Sequence, residues 1–207
     1  YHKRLLPGAT VYISDPSWKN HRALFESAGF PVENYPYYDA ATRGVNFAGM
    51  KAKLDSLQPG SIIVLHACCH NPTGADLSDA QWDDVVAVCR ERGLIPFLDM
   101  AYQGFADGIE PDAVAVRAFS ASGLQFFVSS SFSKSFSLYG ERVGALSIVT
   151  ASKEEAARVL SQLKRVIRTN YSNPPIHGGA IVSAVLSTPT LRAEWEAELA
   201  GMRDRIR

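Results

Sequence analysis

Cysteine is scarce in this 207-residue chain, with three in all, Cys68, Cys69 and Cys89. An odd number containing a vicinal pair does not make a disulfide framework, and it fits a reducing compartment such as the cytoplasm. Net charge is absent as well, because 21 lysines and arginines balance 21 aspartates and glutamates. No surplus of either sign is available to hold a nucleic-acid backbone or an anionic membrane surface. There is no apolar run near the ~20 residues of a membrane span. No secretory leader pattern, low-complexity stretch or internal repeat is present. What is there is ordinary for a soluble domain: 46% apolar and 20% charged residues, in a length that can bury a sizeable core. The sequence does not open on Met, enters a strand-like segment almost at once, and stops inside a strong helical pattern. Both ends are therefore expected to be cut from a longer protein.

Short apolar runs alternate with helical patterns. Strands are expected at 10–13, 31–35, 61–66, 95–99, 125–129 and 143–149. Helices are expected at 18–28, 47–57, 78–92, 111–123 and 152–168. Ser78 with Gln81, and Ser152 with Glu155, have capping-box spacing. Gly93 is placed to stop one helix, and Pro111 suits a helical first turn. The run Ser61-Ile62-Ile63-Val64-Leu65-His66 is continuous rather than alternating, as a parallel strand covered on both faces requires. The βα alternation predicts an α/β fold with a mostly parallel sheet flanked by helices. After Pro189, the residues Leu191, Trp195, Leu199, Met202 and Ile206 fall on one helical stripe, a core face with no visible partner in the sequence.

Three segments follow strands of such a sheet, after His66, at Asp99 and after Ser129, and parallel sheets bind ligands at those carboxyl ends. Each segment has a plain reading when taken alone. Asn71-Pro72-Thr73-Gly74 makes a turn. Asp99 at a strand end serves as a helix cap or surface group. Lys134, in Ser131-Phe132-Ser133-Lys134-Ser135, is a loop lysine. A lysine of ordinary pKa ~10.4 is a poor nucleophile until its surroundings favour the neutral amine or a Schiff base. His66-Ala67-Cys68-Cys69-His70 invites a metal reading. Four ligands so close in sequence do not surround one tetrahedral ion, so buried thiols and no metal are expected. Ser131-x-x-Lys134 also matches one element of the penicillin-recognising hydrolases, but their Ser-Asp-Asn and Lys-Thr-Gly companions are absent.

Taken in order, Asn71, Asp99, Tyr102, Lys134 and Arg142 resemble the cofactor constellation of the class I pyridoxal-phosphate aminotransferases. The resemblance covers essentially the whole chain. Gly-Ala-Asp-Leu at 74–77, Ala-Tyr-Gln-Gly-Phe at 101–105 and Phe-Ser-Leu-Tyr-Gly-Glu-Arg-Val-Gly at 136–144 look most like the bacterial aromatic members of the aspartate and aromatic subgroup. It implies pyridoxal 5′-phosphate on Lys134 as a Schiff base, with the same lysine later acting as general base. Asp99 would hold the pyridinium nitrogen protonated. Asn71 and Tyr102 would donate to the phenolic oxygen, and Asn71 would also adjoin the substrate. Ser131, Ser133 and Arg142 would grip the phosphate, which suits a guanidinium fork. Trp18, in Pro16-Ser17-Trp18-Lys19-Asn20-His21, would stack on the cofactor and border the substrate. His21 and His66 would support Asp99 from behind, as structural groups rather than catalysts. Arg168 would enter the neighbouring subunit of a homodimer and pair with the distal carboxylate of a substrate.

The same resemblance makes residues 1–207 the large cofactor domain, truncated at both ends, with 188–207 a helix leading toward a missing small domain. The family's phosphate loop, its dimer-crossing tyrosine and its second substrate arginine fall outside the chain. The expected activity is transfer of an amino group from tyrosine, phenylalanine or aspartate to a 2-oxo acid such as 2-oxoglutarate, in cytoplasmic amino acid biosynthesis. The isolated 207 residues are expected to be inactive. The alternatives are a related pyridoxal-phosphate lyase and a non-catalytic sensor domain of a transcription regulator. The neutral charge and the lack of a helix-turn-helix give the sensor no support.

Overall fold

Runs of valine, isoleucine and phenylalanine form the central sheet, seen in a computed structural model that describes residues 6–206. The strands are β1 (Val11–Asp15), β2 (Val32–Pro36), β3 (Tyr38–Asp39), β4 (Gly44–Val45), β5 (Ile62–His66), β6 (Ile95–Met100), β7 (Phe126–Ser131) and β8 (Gly144–Val149). Six of them lie in the order β2-β1-β5-β6-β7-β8, and β3 and β4 form a separate small hairpin. The first five strands of that order run parallel, and β8 is antiparallel to β7. The reason for the reversal is local. The 132–143 connection holds only a 3-10 turn at Tyr139–Glu141, which is too little for the crossover that a parallel neighbour needs. The mostly parallel α/β class read from the sequence is the class observed.

The helices are α1 (Lys19–Ser27), α2 (Phe47–Asp55), α3 (Asp79–Arg92), α4 (Val114–Ser122), α5 (Lys153–Asn170), α6 (His177–Ser187) and α7 (Pro189–Ile206). Alternate side chains of each strand face opposite sides of the sheet. On one side Val11, Ile13, Ile62 and Val64 pack with Phe30, Phe25 and Phe97. On the other, Ile63, Leu65, Leu98 and Phe126 meet Met50 and Leu54 of α2, Trp82 and Cys89 of α3, and Phe119 of α4. Both faces are covered, which is why β5 reads as unbroken apolarity.

The caps differ in detail from the sequence reading. Ser78 and Gln81 make a complete capping box, and Gly93 closes α3 at φ 62°. Ser152 accepts from Glu155 N, but the Glu155 carboxylate turns away to Ala151 N and Gln125. That box is therefore half made. The 111–123 segment splits into a 3-10 turn at Pro111–Ala113 followed by α4. Helix α6 was missed by the sequence reading, because the adjacent Gly178 and Gly179 weaken its helical pattern. The stripe on α7 has a partner after all. Leu199 is buried, and the Trp195 ring stacks on Phe136 with centroids 4.4 Å apart, while Leu191 and Ile206 stay exposed.

Leu98 is fully buried in the middle of the sheet. Leu98→Ala should lower the unfolding free energy by about 2–5 kcal/mol, through lost transfer and a residual cavity. Urea denaturation would measure it, and a loss under ~1 kcal/mol would mean that the core collapses around the gap.

Candidate active site

Strand register sets one row of side chains across the sheet. His66 pairs with Asp99 between β5 and β6, and Asp99 pairs with Ser129 between β6 and β7. Asp99 therefore sits at the carboxyl end of a central strand, largely removed from water. His21, near the start of α1, approaches from the side, and its Nε2 lies 2.7 Å from Asp99 Oδ2. Ser129 Oγ donates to Asp99 Oδ1 at 3.2 Å. Burial pushes the Asp99 carboxyl up, but the hydrogen bond and charge of His21, with His66 and Ser129 behind them, outweigh it and hold the group below its ordinary value. An ionised carboxylate only accepts, so the proton must be on His21 Nε2. His21 Nδ1 then faces Ser17 Oγ at 3.0 Å.

Behind this pair lie two more imidazoles. His66 touches the His21 ring at 4.9 Å and the His70 ring at 4.3 Å. Neither nitrogen of His66 has a hydrogen-bond partner among the described residues, so it makes no hydrogen bond to Asp99. Burial, and then the neighbouring His21, push the His66 imidazole down to about 4. His70 is pushed down to about 3, by burial first and then by His66 and His21. His70 stacks on Tyr37 at 3.9 Å and meets Ser14 Oγ at 2.9 Å and Thr73 Oγ1 at 2.7 Å. Both rings are neutral near pH 7, so of the three imidazoles only His21 hydrogen-bonds Asp99.

The remaining groups stand on loops. Lys134 lies in the 132–143 connection, with its Nζ 4.8 Å from the centroid of the Tyr102 ring. Lys134, Tyr102, Asp99, Asn71, Trp18, His66, Ser131, Ser133 and Arg142 all line one cleft of about 240 Å³. Tyr139, which the sequence reading did not single out, lines it too. Trp18 stands edge-on to His21 at 5.3 Å. Ser131 Oγ accepts from Ser133 N at 3.2 Å. Arg142 has φ 52°, a left-handed conformation rare for a side-chain-bearing residue, and its Nη1 donates to Tyr139 O at 2.9 Å. Arg168 is not brought to the cleft. It is exposed near the end of α5 and bonds Ser172 Oγ. A larger cleft of about 560 Å³, lined by residues such as Leu94, Phe126 and Ile148, contains none of these groups.

Two aspartates that the sequence reading passed over hold the loops in place. Asp76 accepts from Cys69 N at 2.6 Å and His70 N at 2.8 Å, just before Asn71. Asp112 accepts from the backbone N–H groups of Gly104, Ala106, Asp107 and Gly108, just after Tyr102. The available signal was an aspartate placed beside a glycine-rich turn. Donor atoms of His21, His66 and Asp99, and of Cys68, Cys69 and Asp112, come within 4.8 Å of one another. In both groups the carboxylate is already engaged by protein hydrogen bonds. Cys89 is buried, and burial pushes its thiol up to about 12.

Comparison with known proteins adds to this geometry. The family model described as aminotransferase class I and II matches residues 2–207. Aspartate aminotransferase of Pseudomonas aeruginosa is 71% identical over 205 residues, covering 99% of this chain and 52% of that protein. Aromatic-amino-acid aminotransferase of Escherichia coli is 55% identical over 204 residues, covering 99% of this chain and 51% of that protein. Among solved structures, the aromatic-amino-acid aminotransferase of Burkholderia pseudomallei covalently bound to pyridoxal phosphate superposes with a TM-score of 0.97 at 72% identity. It is covered over 51% of its length and this chain over 99%. The chain thus spans about half the length of the curated relatives it matches.

The histidine cluster makes stability depend on pH. An unfolded histidine titrates near ~6.5, whereas His66 is held to about 4 in the folded chain. Between those values the unfolded chain binds more protons, so stability falls as the pH is lowered through that window. Urea midpoints should drop from about pH 6.5 to about pH 4, and His66→Leu should flatten the slope by up to about one proton. Equal slopes in both proteins would show that His66 does not carry the effect.

Proposed function

We propose, from the premise that this chain belongs to the class I and II aminotransferase family, that it is the large cofactor domain of a transaminase acting on aromatic and acidic amino acids. The amino group goes to a 2-oxo acid such as 2-oxoglutarate, and pyridoxal 5′-phosphate is the cofactor. One observation carries this reading. A lysine amine, a carboxylate held ionised by a buried histidine, a tyrosine, an asparagine and an arginine converge on one cleft at the carboxyl edge of a parallel sheet. The relatives named above support the substrate class.

The donor set fits the cofactor. Pyridoxal phosphate, when bound, supplies an electron sink for the substrate carbanion. Asp99, kept ionised by His21, would keep the pyridine nitrogen protonated. Asn71 and Tyr102 would donate to the phenolic oxygen. Ser131, Ser133 and Arg142 would hold the phosphate, where a guanidinium fork and hydroxyl donors match a dianion. Trp18 would cover one ring face and shield it from water. Lys134 Nζ would be the point of attachment and, when free, the base that moves a proton at the substrate α-carbon. Arg168 would read the distal substrate carboxylate from the other copy of a homodimer, which agrees with its exposure and its absence from the lining of this chain's own cleft. Residues 188–207 lead on toward the small domain, where the arginine for the α-carboxylate resides. A cytoplasmic place in amino acid biosynthesis completes the reading. No described helix is long and apolar enough to cross a membrane.

The test is to add pyridoxal phosphate, reduce with borohydride and map the labelled peptide by mass spectrometry. A single pyridoxyl group on Lys134, lost in Lys134→Ala, is expected. Arg142→Met should weaken cofactor binding by about tenfold to a hundredfold, the loss of charged hydrogen bonds to phosphate. In the full-length protein, conversion of the cofactor to its amine form without release of ammonia separates a transaminase from a lyase. Labelling scattered over surface lysines would sink the reading.

A further inference from the structure

The last helix touches both loops that carry the reactive groups. Trp195, Leu199 and Arg203 follow one another at intervals of four and share a face of α7. Trp195 Nε1 donates to Ser135 O at 2.6 Å, directly after Lys134. Its ring also stacks on Phe136, with an interplanar angle of 19°. Arg203 Nη1 donates to Gly104 O at 2.8 Å, two residues after Tyr102. Leu199 lies between these contacts and is 1% exposed. It sits so close that a Cβ on Gly104, whose φ is +96°, would come within 2.4 Å of Leu199 Cδ2.

The lysine loop is thus held at two points and the tyrosine loop at three. The lysine loop leaves β7 through Ser131 and is caught again by Trp195. The tyrosine loop leaves β6 and is caught by Asp112 and by Arg203. The two catches on α7 are separated by about 12 Å of helix, at 1.5 Å per residue, and a helix of this length is stiff. The spacing of the two loops is therefore fixed by one rigid body that contributes no group to the cleft.

We propose that Trp195 and Arg203 are positioning residues, and that α7 is a ruler that sets the Lys134 amine over the Tyr102 ring. The proposal's spectroscopic arm rests on the assignment of Lys134 as the cofactor lysine. Its exchange arm does not.

The experiment compares Trp195→Phe, Arg203→Met and the exposed control Arg205→Met in the full-length protein. Trp195→Phe keeps a ring for stacking on Phe136 and removes the donor, together with part of the indole's bulk. Hydrogen exchange in the cofactor-free protein is read first. Trp195→Phe should speed exchange in peptides covering 131–138, and Arg203→Met in peptides covering 102–106, each by about fivefold, the loss of one hydrogen bond from a local opening equilibrium. Arg205→Met should change neither. With pyridoxal phosphate on Lys134, the pH midpoint of the cofactor absorbance should shift in Trp195→Phe and stay at the wild-type value in Arg205→Met. A merely stabilising helix would not move that midpoint. Unchanged exchange in both loops overturns the proposal. So does faster exchange spread equally over β5 and β6, which would make α7 a general prop. If the wild-type protein takes no cofactor on Lys134, the transaminase reading fails while the exchange arm still decides the role of α7.

Discussion

The carboxylate of Asp99 is the constraint around which the rest of the cleft is arranged. A carboxyl group at a buried strand end would ordinarily take up a proton, since desolvation penalises its charge. It stays ionised because His21 reaches it at 2.7 Å and Ser129 completes its second oxygen. That pairing requires α1 to begin where Trp18 ends the preceding loop, and it requires β5, β6 and β7 to hold one register. The neutral His66 and His70 pack behind it without adding charge. The electrostatics of the cleft are thus a property of the sheet and its first helix, and the loops only bring further groups to it.

Those loops are ordered by backbone contacts more than by side-chain packing. Asp76 fixes the turn before Asn71, and Asp112 gathers four N–H groups after Tyr102. Carboxylates used this way, Asp112 buried and Asp76 exposed, satisfy donors that irregular chain would otherwise leave unpaired. Arg142 adopts a left-handed conformation next to its own hydrogen bond to Tyr139 O. Strain of this kind persists where neighbouring contacts hold the geometry, and Gly178 lies close against both flanking residues, Glu141 and Val143.

Much of this was legible in the sequence, for identifiable reasons. Strand β5 was plain because a buried parallel strand is continuous in apolarity, whereas the short β3–β4 hairpin carried no such run. Helix α3 was found because Ser78, Gln81 and Gly93 mark its ends chemically. Most of the residues singled out by order and local motif line one cleft, with Tyr139 added and Arg168 left out. The misses have physical causes too. Two glycines masked α6. The antiparallel β8 depended on the shortness of its connection rather than on any pattern within the strand. Asp76 and Asp112 look like surface aspartates until backbone geometry shows what they accept. The role of α7 required contacts between residues 60 and 99 positions apart, which no local pattern records.

Such long separations bear on how the cleft comes into being during synthesis. A ribosome delivers the Tyr102 loop and then the lysine loop well before it delivers Trp195 and Arg203. Until α7 emerges, the sheet can pair and its core can close, yet both loops lack their contacts with α7. Order in the cleft is therefore a late event for the growing chain, and the nascent sheet carries Lys134 on a segment that still lacks its hydrogen bond from Trp195.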